Sequence, residues 1–181
     1  MTPFNEDGNA FIRSSARSLQ AQHQEIDITP PSPRRRKLRN PNSDGSAEAI
    51  PPPRLQAPVI LTRPKTFAHY ILNLPASALT FLPSFIGLYA GCEHLFTPQT
   101  DTKLPMVHVY CFGSKSNASS EEEKKICDDI GRYLDCEMQP AEEEEEPGEG
   151  VQIWDVRDVA PLKTMFCASF RLPSAVAFRA V

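Results

Sequence analysis

Glycine is scarce and never clustered. The eight glycines of this chain of 181 residues stand apart, and no group of them follows a strand-like run. A Gly-rich loop that lets a backbone approach a cofactor is therefore not written here. No Cys-x-x-Cys occurs either. Cys92, Cys111, Cys127, Cys136 and Cys167 make an odd number, and three of them sit inside apolar patterns. That usage excludes a disulfide framework and fits reduced, mostly buried intracellular thiols. The four histidines form no closely spaced ligand pair, so the expectation is no metal site. The N-terminus is polar and acidic, so no secretory signal is expected. The broadly apolar stretch 67–89 is broken by Pro75 and Pro83 and carries His69 and Asn73. It reads as a strand followed by a helix, with no membrane span.

Proline is abundant and aromatics are few, 18 prolines against 8% Phe, Trp and Tyr, so much of the chain is not core. Residues 20–64 are the clearest case. They hold Pro30-Pro31-Ser32-Pro33, the basic run Arg34-Arg35-Arg36-Lys37-Leu38-Arg39 and Pro51-Pro52-Pro53. Such a segment buries too little apolar area to offset its ordering entropy, and it reads as a disordered insertion. It separates a start segment, 1–19, from the main body, 65–181, which has an acidic loop at 140–150. The formal net charge of −4 is unevenly placed, with the Arg34–Arg39 block opposed by Glu142-Glu143-Glu144-Glu145-Glu146. The balance does not announce a nucleic-acid binder. The basic run reads as a solvated linker charge, with phosphate contact or a nuclear localisation signal as alternatives.

The remaining pattern alternates helix and strand. Residues 8–19 place Phe11, Ile12, Ala16 and Leu19 close to one helical face. Residues 67–73 form a strand apolar on both sides, as in a buried parallel strand. Leu79, Leu82, Ile86 and Tyr89 then recur at helical spacing, with Pro83 expected to kink that helix or start a second one. Phe81 and Phe85 read as core. Residues 106–112 are a further strand. Ser120 with Glu123 makes a capping box for a helix to about Cys136 that turns Ile126, Ile130, Tyr133 and Leu134 inward. Residues 151–159 and 164–172 should pair as an antiparallel hairpin, with Trp154 in the core or on its surface. His69 and His108 fall inside strand patterns and read as satisfied histidines. Arg157, Asp158 and Lys163 near the hairpin turn read as a solvated turn.

The most informative point is where the apolar run His69-Tyr70-Ile71-Leu72 stops at Asn73-Leu74-Pro75. Open α/β sheets bind ligands outside the carboxyl ends of their strands. Pro75 fixes the turn and pushes Leu74 toward an extended backbone. The Asn73 amide, held at a strand end, offers one acceptor and two donors and can read the edge of a nucleobase. A structural turn with an Asn cap is the alternative.

This segment, His69 to Ala78 with Phe81-Leu82, resembles the Asn-Leu-Pro segment of the eukaryotic and archaeal tRNA (guanine-N1) methyltransferases, which modify the guanine 3′ of the anticodon. Three further segments resemble the same family in order: Phe4 to Arg13, Val107 to Phe112, and Val156 to Pro161 with Phe166 to Leu172. The resemblance implies the C-terminal half of a class I, Rossmann-like, S-adenosylmethionine-dependent methyltransferase sheet ending in an antiparallel hairpin. It implies S-adenosylmethionine as cofactor and tRNA as partner. It places Asn73 on the target guanine's Watson–Crick edge, with Leu74 and Pro75 shaping the wall, and puts Asp7 and Gly8, with Asn73, beside the cofactor. Asp7 has an alternative role as the N-cap of helix 8–19.

The family's Gly-rich loop, its ribose-binding acidic residue and its catalytic acidic residue and arginine have no counterpart in this chain. The expectation is thus a chain incomplete at its N-terminus, lacking the first half of the domain and exposing a strand edge. The related wybutosine-pathway aminocarboxypropyl transferase and a non-catalytic remnant serving as an RNA-binding module are the competing readings. Cytoplasm, nucleus and mitochondrial matrix are all compartments that the family implies.

Overall fold

The amphipathic start of the chain forms α1, Gly8–Ala21, whose buried residues Ile12, Ser15, Ala16 and Leu19 recur at helical spacing along one face. Asp7 caps it: its Oδ1 accepts from the Ala10 amide at 3.0 Å. The computed structural model describes residues 5–22, 25–28, 59–114, 119–142 and 149–180. It divides into two compact units, Met1–Gln22 with Lys65–Val181, and His23–Pro64.

In the second unit, β1, Glu25–Ile28, pairs antiparallel with β2, Val59–Thr62, in the register Glu25 opposite Thr62. The composition of residues 20–64 suggests disorder, and this ribbon is a correction at both ends of that span. The apolar Ile26, Ile28, Val59, Ile60 and Leu61 favour strand locally, although prolines dominate the average between them. Helix α1 likewise runs two residues past 19. The Arg34–Arg39 run and most of the Glu142–Glu146 run lie outside the described residues.

In the first unit, β3, His69–Leu72, begins a four-stranded sheet. It pairs in parallel with β4, Met106–Ser114. Next to β4 lies β6, Lys163–Arg171, antiparallel, and beyond it β5, Gln152–Ala160, gives the order β3-β4-β6-β5. The expected hairpin is present, closed at Pro161-Leu162, with register shifts between Asp155 and Arg157 and between Asp158 and Ala160. Those bulges twist the outer strand out of strict alternation.

Between β3 and β4 the chain forms a 3₁₀ helix, Ala78–Phe85, in place of the expected kinked α-helix. Pro83 lies inside it. An α-turn there would set the Pro83 ring against the carbonyl of residue 79 and leave no N–H to donate. Turns through 86–91 follow and are tied to the C-terminal helix α3, Ser174–Ala177, by the Gly87 and Tyr89 amides donating to the carbonyls of Val176 and Ala177, each at 2.9 Å.

Helix α2, Ser119–Leu134, begins one residue before Ser120, so that serine sits in the first turn and not at the cap. The glutamate that matters there is Glu122. It is buried, and its carboxylate accepts from the Ser114 amide at 3.0 Å and the Ser114 hydroxyl at 2.6 Å, fastening the helix start to the end of β4. Asp135, at φ 53°, ends the helix in the left-handed region.

One face of the sheet carries the core. Tyr70, Val107, Val109, Cys111, Ala168 and Phe170 join Ile126, Ile130 and Leu134 of α2, Leu82 and Phe85 of the 3₁₀ helix, and Ile12 and Ala16 of α1. Among the described residues no helix is long and apolar enough to cross a membrane.

Candidate functional site

The strand β3 ends at Leu72, and the next five residues make the corner that the sequence singles out. The Leu74 carbonyl accepts from both the Ser77 amide at 2.8 Å and the Ala78 amide at 2.7 Å. Pro75, with its fixed φ, sits at the second position of that turn. Asn73 is thereby held outside the strand end, exposed, with its carboxamide free of hydrogen bonds to the described residues. Leu74 projects beside it, 58% exposed.

A recess of about 440 Å³ opens at this corner. Asn73 and Leu74 form one side of it, and Gly8, Phe11 and Ile12 of α1 form the other. Phe67 and Phe81 contribute rings, and the β3 residues 69–72 form the floor. The lining is mostly apolar, with Asn73 as a polar tip and His69 in the floor, and the volume suits a small planar ligand. Segments far apart in sequence thus meet at one cavity.

Two contacts fix α1 against that corner. Ser15 Oγ lies 3.0 Å from the Tyr70 hydroxyl, which lies 3.4 Å from the Tyr89 hydroxyl. Ser84 Oγ donates to Asn9 Oδ1 at 2.8 Å. Burial pushes the Tyr70 phenol above its ordinary range, against the lowering effect of its bonds to Ser15 and Tyr89, so it stays neutral and serves as a hydrogen-bonding strut. Gly8 has a steric role: a Cβ there would stand 2.8 Å from Cε1 of Phe81, so glycine lets that ring seat against the start of α1.

The sequence-derived site residues separate into two groups. Gly8, Asn73 and Leu74 line the recess; Asp7 and Pro75 do not. The geometry of Asp7 is that of an N-cap, and that of Pro75 is the turn behind the wall. Sequence reasoning treats Phe81 as core, whereas the structure puts it half-buried in the recess wall. The signal was its place next to Leu82: the two neighbours cannot share a helical face, and Leu82 is fully buried. The hairpin turn joins β6 and β5, the two strands of the sheet farthest from β3. There Lys163 Nζ sits 3.9 Å over the Phe112 ring, and Thr164 donates to Asp158 Oδ1 at 2.8 Å.

The structure also joins two histidines that the sequence leaves apart. His69 Nδ1 is 3.0 Å from His108 Nε2, and His108 Nδ1 is 2.8 Å from Ser169 Oγ. Partial burial and the neighbouring His69 together lower the pKa of His108.

These elements define an α/β body with a ring-lined recess at the end of a sheet strand. No family model matches the chain, and no solved structure matches it. Curated relatives do. A tRNA (guanine(37)-N(1))-methyltransferase from Phaeosphaeria nodorum is 48% identical over 189 aligned residues, covering 100% of this chain and 39% of the relative. A protein of the same name from Emericella nidulans is 46% identical over 99% of this chain and 36% of its own length, and one from Schizosaccharomyces pombe is 37% identical over 97% and 34%. The chain is similar to these tRNA methyltransferases along nearly its whole length, and it spans little more than a third of the length of those relatives.

Proposed function

We propose that this chain supplies one wall of the methyl-transfer site in a tRNA (guanine-N1) methyltransferase acting on the guanine 3′ of the anticodon. The observation that carries the proposal is the recess shared by Gly8 at the start of α1 and Asn73-Leu74 at the end of β3. Those are the two segments to which the family resemblance assigns cofactor and base.

The sheet supports the same reading. Parallel β3 and β4 followed by an antiparallel outer hairpin is the order that the second half of a class I methyltransferase sheet requires. In that fold the first strand would run along the outer edge of β3. This edge has no strand partner among the described residues, and Ile71 beside it is 68% exposed.

S-adenosylmethionine supplies an electrophilic methyl group when bound. The recess fits its adenine: Phe11, Phe67 and Phe81 offer apolar ring walls, and the Gly8 backbone lies at the rim. No glycine cluster in the chain could cradle the rest of the molecule, so this wall is one part of a larger pocket. Asn73 works on the acceptor. Guanine N1 carries a proton and is a poor nucleophile until that proton leaves. A carboxamide that both donates and accepts can hold the Watson–Crick edge so that N1 faces the methyl group. The guanine must leave its stack to reach an exposed corner of this kind. Leu74 gives that base an apolar wall, and the turn closed on the Leu74 carbonyl keeps it rigid.

Single-turnover methylation of a tRNA transcript by the full-length protein tests the assignment. Asn73→Ala should lower the rate about a hundredfold or more while cofactor affinity changes little, the pattern for a contact made to the acceptor. A variant with an unchanged rate would remove Asn73 from the site.

A further inference from the structure

On the sheet face opposite the core, three residues form a polar line across β3, β4 and β6. Ile71 is the register partner of His108, and His69 lies two residues earlier on the same strand, so both histidines project from one face. Ser169 is the antiparallel partner of His108 on the next strand. The imidazoles are nearly parallel, 19° apart, with centroids at 5.2 Å. The sequence gives no hint of the pair, because the two histidines are 39 residues apart.

We infer that His69 and His108 form a two-imidazole binding site for a borderline divalent transition metal such as Zn²⁺ or Ni²⁺. Imidazole nitrogen is the donor these ions favour. With metal–nitrogen bonds of about 2.0–2.1 Å, two nitrogens are about 2.9 Å apart at a right-angled bite and about 3.3 Å apart in a tetrahedron. The observed separation of 3.0 Å falls between those limits. The two nitrogens now face one another, so an incoming ion needs a small rotation of the His69 ring, which is free to move because His69 is exposed.

The surroundings favour the neutral ligands that a metal needs. Ser169 Oγ, at 2.8 Å from His108 Nδ1, can accept the proton of that nitrogen and leave the Nε2 lone pair outward. Metal-bound histidines are commonly oriented in this way by a second-shell hydrogen bond. Arg171, the register partner of Met106, lies on this face, and its guanidinium donates to the Leu104 carbonyl at 2.7 Å. Cys167, two residues beyond Ser169 with its Sγ 3.8 Å from Ser169 Oγ, is the nearest thiol. Among the described residues no group of three histidine, cysteine or acidic ligands converges anywhere. The protein therefore gives two ligands here, and water completes the shell.

Calorimetric titration of the 181-residue chain with ZnCl₂ or NiCl₂ at neutral pH, thiols blocked by alkylation, tests this. One saturating event of unit stoichiometry in the micromolar range is expected. His69→Ala, a surface change that leaves the core untouched, should abolish it, and so should His108→Ala. Ser169→Ala should keep the site but weaken it about tenfold, the size of effect that loss of an orienting partner produces. Absence of saturable binding overturns the site. So does binding that survives His69→Ala, because the metal would then be held elsewhere.

Discussion

The two faces of the four-stranded sheet are built from the same strands and behave differently. On one, Val107, Val109, Ala168 and Phe170 are at most 1% exposed and lock into α2, the 3₁₀ helix and α1. On the other, His69 and Ile71 stand exposed, His108, Tyr110 and Cys167 are half-buried, and Trp154 is 56% exposed. Alternation along a strand sends neighbours to opposite sides, so the contrast is set residue by residue. The core face carries the fold. The other face is the more exposed of the two, and it adjoins the β3 edge that has no strand partner among the described residues. Large core changes should therefore be costly and open-face changes nearly silent.

The strongest break of that contrast is Phe85→Ala. Phe85 is fully buried and meets Tyr70 edge-on at 5.0 Å between ring centroids. Truncating a buried phenylalanine costs about 3–5 kcal/mol in lost burial and cavity formation. Against a typical reserve of about 5–15 kcal/mol, a small sheet has little to spare. Urea unfolding should show a midpoint shifted sharply downward, or no cooperative transition at all.

Glu122 sharpens the comparison from the rim of the core. Burial opposes its ionisation, but the Ser114 hydroxyl and amide, with Lys125 nearby, outweigh burial and hold the carboxyl below its ordinary 4.5. The folded state therefore favours the charged form. That stability is present above the unfolded-state value and is lost as pH falls through the lower folded-state one. Glu122→Gln should cost about 2 kcal/mol at pH 7, the scale of hydrogen bonds to a charged group. The gap between variant and parent should close as pH falls below the ordinary value. Chemical denaturation at a series of pH values reads this directly; a gap that widens in acid would refute it.

Much of this arrangement is legible in the sequence. Spacing finds α1, and a run of β-prone residues finds β3 and β4, because burial imposes a period that survives in a single chain. The corner at Asn73-Leu74-Pro75 is legible because proline and asparagine carry their own backbone chemistry. Less local features are not legible. The β1–β2 ribbon is hidden by the prolines between its strands. The 3₁₀ geometry of Ala78–Phe85 turns on the single residue Pro83. The role of Phe81 and the meeting of His69 with His108 depend on which strands become neighbours, and composition holds no record of that. The family resemblance points to Asp7 as a cofactor contact, and the described geometry shows the helix cap, its other reading.

Tyr70→Phe probes the strut between the recess and the core. The hydroxyl removed lies between Ser15 and Tyr89, yet Ser15 keeps its 2.7 Å bond to the Ile12 carbonyl. The ring packing is preserved, so the loss should be about 1 kcal/mol, the net worth of an ordinary hydrogen bond. Hydrogen exchange should rise more in α1 than in α2, because the strut ties α1 to β3. Uniform acceleration in both helices would mean that the hydroxyl chain does not hold α1 in particular.

Ile71→Thr should do least. Its side chain is 68% exposed, on the strand that gives the recess its floor, so little apolar area is lost when it becomes polar. Threonine is β-branched and keeps the strand propensity of isoleucine, so the pairing of β3 with β4 is not weakened. The stability change should stay within about 0.5 kcal/mol, as for surface substitutions generally. Solubility should move further than stability, because a large apolar side chain beside a strand edge with no partner among the described residues invites association. Light scattering of concentrated samples, run beside urea unfolding, separates the two quantities. A destabilisation approaching that of Phe85→Ala would mean that the open face is packed as tightly as the core, and the contrast between the two faces would fail.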